Sequence, residues 1–492
     1  MSVLTIDAGT TGVTALIVSE NGEVAARGYQ EFAQHYPRTG WVEHVPEEIW
    51  QATLAACQSA LDATDDAPTC IGITNQRETA VLWNRRRASS PRRAIVWQDR
   101  RTADICQELR DAGHEDRVTD ITGLRLDPYF TATKLTWIQR NDQRAWSGVE
   151  SGDVALGTVD SYIIARLTGG TRHITDASNA SRTLLFDLRA GTWSDEMCEL
   201  FGVPISALPE VVPSYGVVAE SEPDDFLGLK LPIAGIAGDQ QAAMFGQNCY
   251  TPGSSKCTYG TGSFILVNTG TEPVPPRQGL LSTVLWQHPD GRLDYALEGS
   301  IFVTGAAVQW LRDGLGFIDS AAQSEALAAS VEDSGGVVFV PALTGLGAPD
   351  WDPYARGAIF GITRGTGRAH LARATLDAIA FEVRDVVEAM ARASGTELPE
   401  LRVDGGASAN DLLCHIQADQ LGVSVARPQI QETTALGAAF LAGLGTGVWD
   451  STDDLAHTWK LDRRFEPRDR DDAAYRRWRV AVERSKGWAG LE

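Results

Sequence analysis

The sequence VLTIDAGTTGVTALIV at residues 3–18 predicts a β-hairpin, because an apolar strand is broken by Asp7 and the turn Gly9-Thr10-Thr11-Gly12 and then resumes. The glycines of such a turn let backbone N–H groups approach a phosphate closely, and threonine hydroxyls add donors. An acidic residue at the end of the first strand can hold a hydrated Mg²⁺ against the same phosphates. Taken alone, an ordinary tight hairpin is the more frequent explanation of this pattern.

A second stretch, CTYGTGSFILV at 257–267, repeats the order of strand, turn and strand about 250 residues later, with Gly260-Thr261-Gly262 as its turn. One phosphate-binding hairpin in each half of the chain indicates a two-lobed nucleotide-binding protein. The length of 492 residues agrees, since it exceeds what one hydrophobic core usually serves. The interruption of the pattern at 247–253 predicts two domains, at residues 1–247 and 248–492.

The segment GDQQAAMFG at 238–246 places Asp239 on a predicted turn between a strand and a helix of small residues. A carboxylate on a tight turn can act as a general base, although the same pattern is also common as a helix N-cap. Combined with the two hairpins, it favours phosphoryl transfer from a nucleotide to a hydroxyl group.

Composition narrows the class of protein. With 43% hydrophobic and 22% charged residues, the chain has an ordinary globular composition, and its net charge of −22 argues against nucleic acid or membrane partners.

The longest apolar run, at 435–449, is too short to span a bilayer and predicts a buried helix ending in a glycine turn. Seven cysteines without a C-x-x-C pair predict reduced thiols and a cytoplasmic location, and the chain begins in a core strand that leaves no room for a signal peptide.

Alternating strand-like and helical runs predict an α/β fold throughout. Strands are predicted at 70–75 and 337–343, and helices at 46–63 and 374–394. The segment RVDGGASANDLLCHIQADQLG at 402–422 predicts a strand, the Gly405-Gly406 turn and a helix, an arrangement that can seat an adenosine or a phosphate.

Polar side chains suited to a polyol occur in two segments. Arg77 and Glu78 follow a predicted strand and could donate to and accept from neighbouring hydroxyls; an exposed ion pair is the alternative. Tyr129 offers a phenol, for which a core tyrosine is the alternative.

A long, ordered series of motifs resembles the FGGY carbohydrate kinases over essentially the whole chain. The matching blocks include DAGTTG, WVEHVPEEIW, ITNQRET, IVWQDRRTA, TDASNASRT, GDQQAA, YGTGSF, YALEG and RVDGGASAN, together with the two family signatures at 129–141 and 357–377. The NQRET, TDASNASRT and GDQQAA blocks are similar to the members that phosphorylate glycerol.

The resemblance implies two duplicated ribonuclease-H-like domains of the actin, Hsp70 and hexokinase type, with a cleft between them. It implies ATP-dependent phosphorylation of glycerol to sn-glycerol 3-phosphate, with ATP and Mg²⁺ as cofactors and Asp239 as the general base. Asp7 would place the Mg²⁺ through water. The implied glycerol-binding residues are Arg77, Glu78, Trp97, Tyr129, Asp239, Gln240 and Phe264. The implied nucleotide-binding residues are Thr10, Thr11, Gly12, Thr14, Thr261, Gly305, Gln309, Gly406 and Asn410.

One segment departs from the pattern of the glycerol-phosphorylating members. They usually read T-T-S-x-R in the first hairpin, whereas this chain reads Thr10-Thr11-Gly12-Val13-Thr14, which is closer to the xylulose kinases. Two alternatives therefore stay open: a kinase for another polyol or ketose such as xylulose or erythritol, and a catalytically silent ATP-binding regulator. A homo-oligomer, as a dimer or tetramer, is expected, with no nucleic-acid partner and no membrane insertion.

Overall fold

The computed structural model describes residues 1–395 and 397–491 and shows strands and helices alternating along the chain. The strands of the first half are β1 (Ser2–Ala8), β2 (Gly12–Ser19), β3 (Val24–Glu31), β4 (Glu43–His44), β5 (Pro68–Asn75), β6 (Val81–Asn84), β7 (Ala94–Ile95), β8 (Val154–Gly157), β9 (Ile174–Asp176), β10 (Phe186–Asp187), β11 (Thr192–Trp193), β12 (Glu210–Val212), β13 (Tyr215–Glu220) and β14 (Pro232–Gly238). Its helices are α1 (Pro46–Asp62), α2 (Ala103–Asp111), α3 (Glu115–Thr122), α4 (Thr131–Asn141), α5 (Gln143–Glu150), α6 (Val159–Leu167), α7 (Ala177–Ala180), α8 (Asp195–Phe201) and α9 (Asp239–Gly246).

The second half continues in the same manner. Its strands are β15 (Ser255–Tyr259), β16 (Ser263–Gly270), β17 (Leu281–Gln287), β18 (Leu293–Ile301), β19 (Val338–Val340), β20 (Ala358–Phe360), β21 (Glu400–Asp404), β22 (Ser424–Pro428) and β23 (Leu461–Phe465). Its helices are α10 (Gly305–Gln309), α11 (Gln323–Ala329), α12 (Arg368–Ser394), α13 (Asp411–Leu421), α14 (Thr433–Thr446), α15 (Thr452–Ala456) and α16 (Asp472–Ser485).

Two large sheets organise the molecule. The first has the order β13-β14-β5-β1-β2-β3 and the second the order β17-β18-β16-β15-β21-β22-β23. In each sheet three neighbouring strands are antiparallel: β1, β2 and β3 in the first, and β15, β16 and β18 in the second. On the other side of β1 or β15, two further strands run parallel to it: β5 and β14 in the first sheet, and β21 and β22 in the second. The matching order confirms the predicted duplication of a ribonuclease-H-like unit.

Most predicted elements appear with shifted ends. Both hairpins are antiparallel pairs, and the helix predicted at 46–63 spans Pro46–Asp62. The helix predicted from 374 begins at Arg368, because its polar first turn hides the helical period of the apolar residues that follow. The strand predicted at 337–343 is reduced to Val338–Val340, and a short 3-10 turn, Gly406–Ala409, separates the glycine pair from α13.

Helix α14 joins the two halves of the chain. It lies in the second predicted domain, yet it packs against β5 and β14 of the first sheet and against α9. The two helices cross at glycines: a Cβ on Gly437 would lie 1.8 Å from the Ala242 carbonyl oxygen, and one on Gly246 would lie 2.0 Å from that of Thr433. The predicted buried helix is confirmed, and Gly447 ends it with a φ of 74°. The hydrophobic core under the first sheet therefore contains residues from both ends of the sequence.

Two other features bear on the predictions from composition. Within the described residues, no helix has both the length and the apolar character needed to cross a membrane. All seven cysteines are buried and form no disulfide.

Candidate active site between the two sheets

The turn that carries Asp239 lies where β14 ends at Gly238 and α9 begins. Gly238 is required because a Cβ there would lie 2.7 Å from Cδ of Arg77, which passes directly beside it. One Asp239 carboxylate oxygen accepts the Gln240 backbone N–H at 2.7 Å and lies 3.1 Å from Arg77 Nε. The Asp239 side chain is 31% exposed, so its carboxylate is accessible to a ligand.

Arg77 and Glu78 are buried at 2% and 1% exposure, so the alternative of a surface ion pair is wrong. Arg77 donates to both carboxylate oxygens of Glu298, at 2.6 and 3.1 Å, and to the Tyr129 hydroxyl at 3.3 Å. Arg182 donates to Glu78 at 2.7 Å and to Glu298 at 2.8 Å. The four charged side chains form one network that links β5 and the loop after it to β18 of the second sheet.

In this network, burial and the neighbouring arginines act in opposite directions on the pKa values of the two glutamates. Burial opposes ionisation of Glu298, but the adjacent Arg182 and Arg77 lower its pKa to about 2. For Glu78, burial outweighs the attraction of the two arginines, and its pKa is raised. Glu78 also has a φ of 62°, an uncommon conformation for a residue with a Cβ, and such strain is concentrated at functional sites.

Sequence reasoning did not select Arg182 and Glu298 as site residues. Both lie in blocks that carry the family resemblance, TDASNASRT at 175–183 and YALEG at 295–299. Their position in those blocks is the signal that could have found them, but only the fold shows that they contact Arg77 and Glu78.

An aromatic wall stands beside this network. The rings of Trp97 and Tyr129 meet edge to face at 5.6 Å, and those of Trp97 and Phe264 at 6.2 Å. Trp97 Nε1 donates to Oγ1 of Thr10 at 3.0 Å. The wall therefore touches the first hairpin, so the fold brings the predicted acceptor residues and the predicted phosphate turn together.

Lys134, which sequence reasoning also missed, holds the segment that carries Tyr129. Its buried ammonium donates to the carbonyl oxygens of Pro128, Tyr129 and Phe130 at 2.8, 2.6 and 3.0 Å. Burial lowers the pKa of Lys134 to about 7. The residue belongs to the signature at 129–141, and the contacts explain why a lysine is needed five positions after the tyrosine.

The first hairpin places Asp7 and Thr14 opposite each other on β1 and β2. Asp7 is partly buried, and no described residue donates a hydrogen bond to its carboxylate. Burial raises the pKa of Asp7 to about 7, with a further contribution from the Asp239 carboxylate. Gly12 is required because a Cβ there would lie 2.8 Å from the hydroxyl of Tyr29, the residue paired with Thr14 on β3. Thr11 is exposed at the turn.

A cavity of about 420 Å³ opens beside the second hairpin. Five predicted nucleotide-binding residues line it together: Thr261, Gly305, Gln309, Gly406 and Asn410. Gly305 approaches the hairpin so closely that a Cβ would lie 2.6 Å from the Gly260 carbonyl oxygen. Arg312 and Glu325 also line the cavity and were not predicted. Its volume is in the range of small-molecule sites.

No group of three or more histidine, cysteine, aspartate or glutamate side chains within the described residues is arranged to hold a metal ion. A magnesium ion in a kinase usually has one or two protein carboxylates and completes its shell with water and phosphate oxygens. Asp7 fits this pattern, because its carboxylate accepts no hydrogen bond from a described residue and could hold a hydrated ion. The described residues contain no cluster of ligands that could hold a metal ion without water or phosphate.

Models of one protein family match most of the sequence. The N-terminal domain of the FGGY family of carbohydrate kinases matches residues 2–246, and its C-terminal domain matches residues 255–446. The chain belongs to the FGGY family of carbohydrate kinases.

Relatives of this FGGY kinase are similar over their full length. The glycerol kinase of Dechloromonas aromatica is 53% identical, with 99% of this chain and 98% of the relative covered. That of Aromatoleum aromaticum is 54% identical, with 99% of both chains covered. The crystal structure of Plasmodium falciparum glycerol kinase with ADP has a TM-score of 0.90 at 33% identity and 98% coverage of both chains. A xylulose kinase from Lactobacillus acidophilus shares the fold at 20% identity, with a TM-score of 0.87 and coverage of 100% of this chain and 97% of that one.

Proposed function

We propose that this FGGY kinase transfers the γ-phosphoryl group of ATP to glycerol and forms sn-glycerol 3-phosphate. The observation that carries the proposal is the position of the accessible Asp239 carboxylate, 3.1 Å from Arg77, in a network that also holds Tyr129. Trp97 connects the same region to Thr10 of the first hairpin. The full-length similarity to proteins named glycerol kinase supports glycerol as the acceptor.

The acceptor site has the chemistry that a small triol requires. The aromatic wall of Trp97, Tyr129 and Phe264 suits the C–H face of the carbon chain, and the polar groups of Arg77, Glu78, Asp239 and Gln240 suit its hydroxyls. Such a site discriminates by hydrogen bonding, because an acceptor that lacks a hydroxyl leaves buried polar groups without a partner.

Asp239 is proposed to act as the general base. Its carboxylate accepts the proton of the terminal hydroxyl as that oxygen bonds to the γ-phosphorus and the bond to the bridging oxygen breaks, which leaves ADP. Thr10, Thr11 and Gly12 of the first hairpin and Thr261 of the second are proposed to donate hydrogen bonds to the phosphates. Gly305, Gln309, Gly406 and Asn410 line the cavity proposed for the rest of the nucleotide.

Mg²⁺ is proposed to be held through water by Asp7, where it would neutralise negative charge on the phosphates. Burial raises the pKa of Asp7, and a cation bound nearby would favour its ionised carboxylate. Thr14, beside Asp7 on the neighbouring strand, is proposed to face the same phosphates.

The decisive experiment replaces the proposed base in the purified protein. Asp239→Asn should lower kcat by about two to four orders of magnitude while glycerol binding stays measurable, because the amide keeps the shape and loses the basic oxygen. Asp65→Asn, at an exposed position, is the matched control and should keep wild-type kcat. Turnover of the Asp239 variant at the control rate would remove Asp239 from the mechanism.

The acceptor is tested by coupled ADP release over glycerol, erythritol, xylulose, ribulose and gluconate. Glycerol should give the highest kcat/KM, because the site is lined for a short chain with adjacent hydroxyls. A higher value with xylulose or erythritol would favour the alternative acceptors, and ADP release with none of them would favour a silent regulator.

The state of the protein in the cell is also a proposal. A homo-oligomer and a cytoplasmic location are expected, and light scattering coupled to size exclusion distinguishes a dimer or tetramer from a monomer. Cell fractionation with an antibody against the protein tests the location.

A further inference from the structure

Lys256 is a fully buried cation beside the proposed acceptor site. It lies on β15 of the second sheet, and its ammonium donates to Oε1 of Gln240 and, at 2.7 Å, to Oγ1 of Thr258. Burial lowers the pKa of Lys256, whereas the nearby Asp404 and Asp239 favour its charged form. A buried ammonium is costly unless specific partners compensate for its lost hydration, so these contacts require an explanation.

The contact with Lys256 fixes which way the Gln240 amide points. A carboxamide has one acceptor oxygen and one donor nitrogen, and a turn of the amide by 180° would bring its N–H₂ group against the ammonium. Because both groups would then be donors, that orientation is strongly disfavoured. Gln240 is thereby held with its oxygen towards Lys256 and its Nε2 on the other side.

The donor end of Gln240 has no protein acceptor. No described residue accepts a hydrogen bond from its Nε2. This atom is not fully buried, so a ligand can reach it. The amide N–H groups therefore remain available to a ligand next to Asp239, the adjacent residue in α9.

We propose that Lys256 is a positioning residue that makes Gln240 a hydrogen-bond donor to a hydroxyl oxygen of the acceptor substrate. The inference rests on the proposed function of the site. Lys256 lies on β15 of the second sheet, whereas Gln240 lies in the first turn of α9, which follows β14 of the first sheet. The orientation of Gln240 therefore depends on how the two sheets pack against each other. The ammonium itself is fully buried and does not touch the substrate.

The test uses the full-length protein and whichever acceptor of the panel above gives the highest kcat/KM. Lys256→Met removes the charge and the donor while it keeps an unbranched chain of similar length. The expected result is a rise in KM for the acceptor of about tenfold to hundredfold, the scale for losing an oriented buried hydrogen bond, with KM for ATP changed less than twofold. Lys460→Met, at an exposed lysine paired with Glu23, should leave both constants unchanged.

A double-mutant cycle separates positioning from a general structural effect. If Lys256 acts through Gln240, then Lys256→Met added to Gln240→Ala should raise the acceptor KM less than twofold beyond Gln240→Ala alone. Lys256→Gln, which keeps a neutral donor, should recover part of the acceptor affinity and serves as the second variant if the methionine variant does not fold.

Three results would overturn the proposal. They are an acceptor KM at the wild-type value in a folded Lys256 variant, fully multiplicative effects in the double variant, and equal increases in the KM for acceptor and for ATP. Failure of the proposed function looks different, because the wild-type protein would then prefer an acceptor other than glycerol while the cycle still reports on Lys256.

Discussion

The two large sheets have the same central strand order, yet they carry their carboxylates on different strands. In the first sheet Asp7 of β1 lies in register with Thr74 of β5. In the second sheet the equivalent positions are reversed: Thr258 of β15 lies in register with Asp404 of β21. The duplication thus preserved the backbone and exchanged the positions of acid and hydroxyl.

The environments of the two carboxylates differ as well. Asp7 is partly buried and has no described hydrogen-bond donor, whereas Asp404 is 1% exposed and accepts from Gln247 and Thr433, each at 2.7 Å. Gln247 follows α9 and Thr433 begins α14, so Asp404 fixes the two crossing helices to the second sheet. We infer that the first sheet keeps its carboxylate for a ligand and the second uses its carboxylate for the fold.

Among the changes that test this comparison of the two sheets, the largest effect is expected from Asp7→Asn, which would remove the group proposed to hold hydrated Mg²⁺. We expect kcat/KM for ATP to fall by about two to three orders of magnitude, the scale for losing electrostatic stabilisation of a transition state. Coupled ADP release at varied ATP and Mg²⁺ measures it. An unchanged dependence on free Mg²⁺ in the variant would separate Asp7 from the metal.

Asp404→Asn should act on stability instead. The amide keeps the shape and one acceptor oxygen but removes the charge that strengthens the hydrogen bonds from Gln247 and Thr433, so the free energy of unfolding should fall by about 1–3 kcal/mol. Urea denaturation measures this change, and kcat should fall less than tenfold. A loss of activity as large as that of the Asp7 variant, at unchanged stability, would show that both carboxylates serve the ligand.

The pH dependence of stability provides a third comparison. With a pKa of about 7 in the folded protein, Asp7 keeps its proton between about pH 4 and 7 while the unfolded chain releases it, so rising pH destabilises the fold over this range. In metal-free buffer, Asp7→Asn should be close to wild type at pH 5 and more stable by about 1–2 kcal/mol at pH 8, after allowance for partial exposure. A constant difference between the two proteins from pH 5 to 8 would contradict the raised pKa.

The smallest effect is expected at Thr14, where the family resemblance predicts an arginine. Thr14 lies opposite Asp7, so Thr14→Arg should tighten ATP binding by about threefold to tenfold, because a guanidinium adds charge and a bidentate grip. Steady-state kinetics with Thr14→Val as the control decide this. An unchanged or weaker KM for ATP, with circular dichroism intact, would mean that Tyr29 on the adjacent strand has taken the space for the arginine.

The sequence determined the frame of this protein and several of its site residues. Local patterns suffice for both hairpins, for the turn at Gly238 and Asp239, and for the helix at 433–446, because apolar periodicity and glycine turns act over a few neighbouring residues. The family resemblance also named five of the residues that line the cavity beside the second hairpin.

Only the tertiary structure decided which partners the site residues have. Glu298 lies 221 positions from Arg77 and Lys256 lies 16 positions from Gln240, and neither spacing has a local signature. Asp7 and Asp404 look alike in sequence, since each lies near the end of a strand that leads into a glycine-containing turn, and burial and hydrogen-bond donors distinguish them. The physical reason is that the charge state and orientation of a buried polar group depend on solvation and on contacts across sheets, which the packed chain creates.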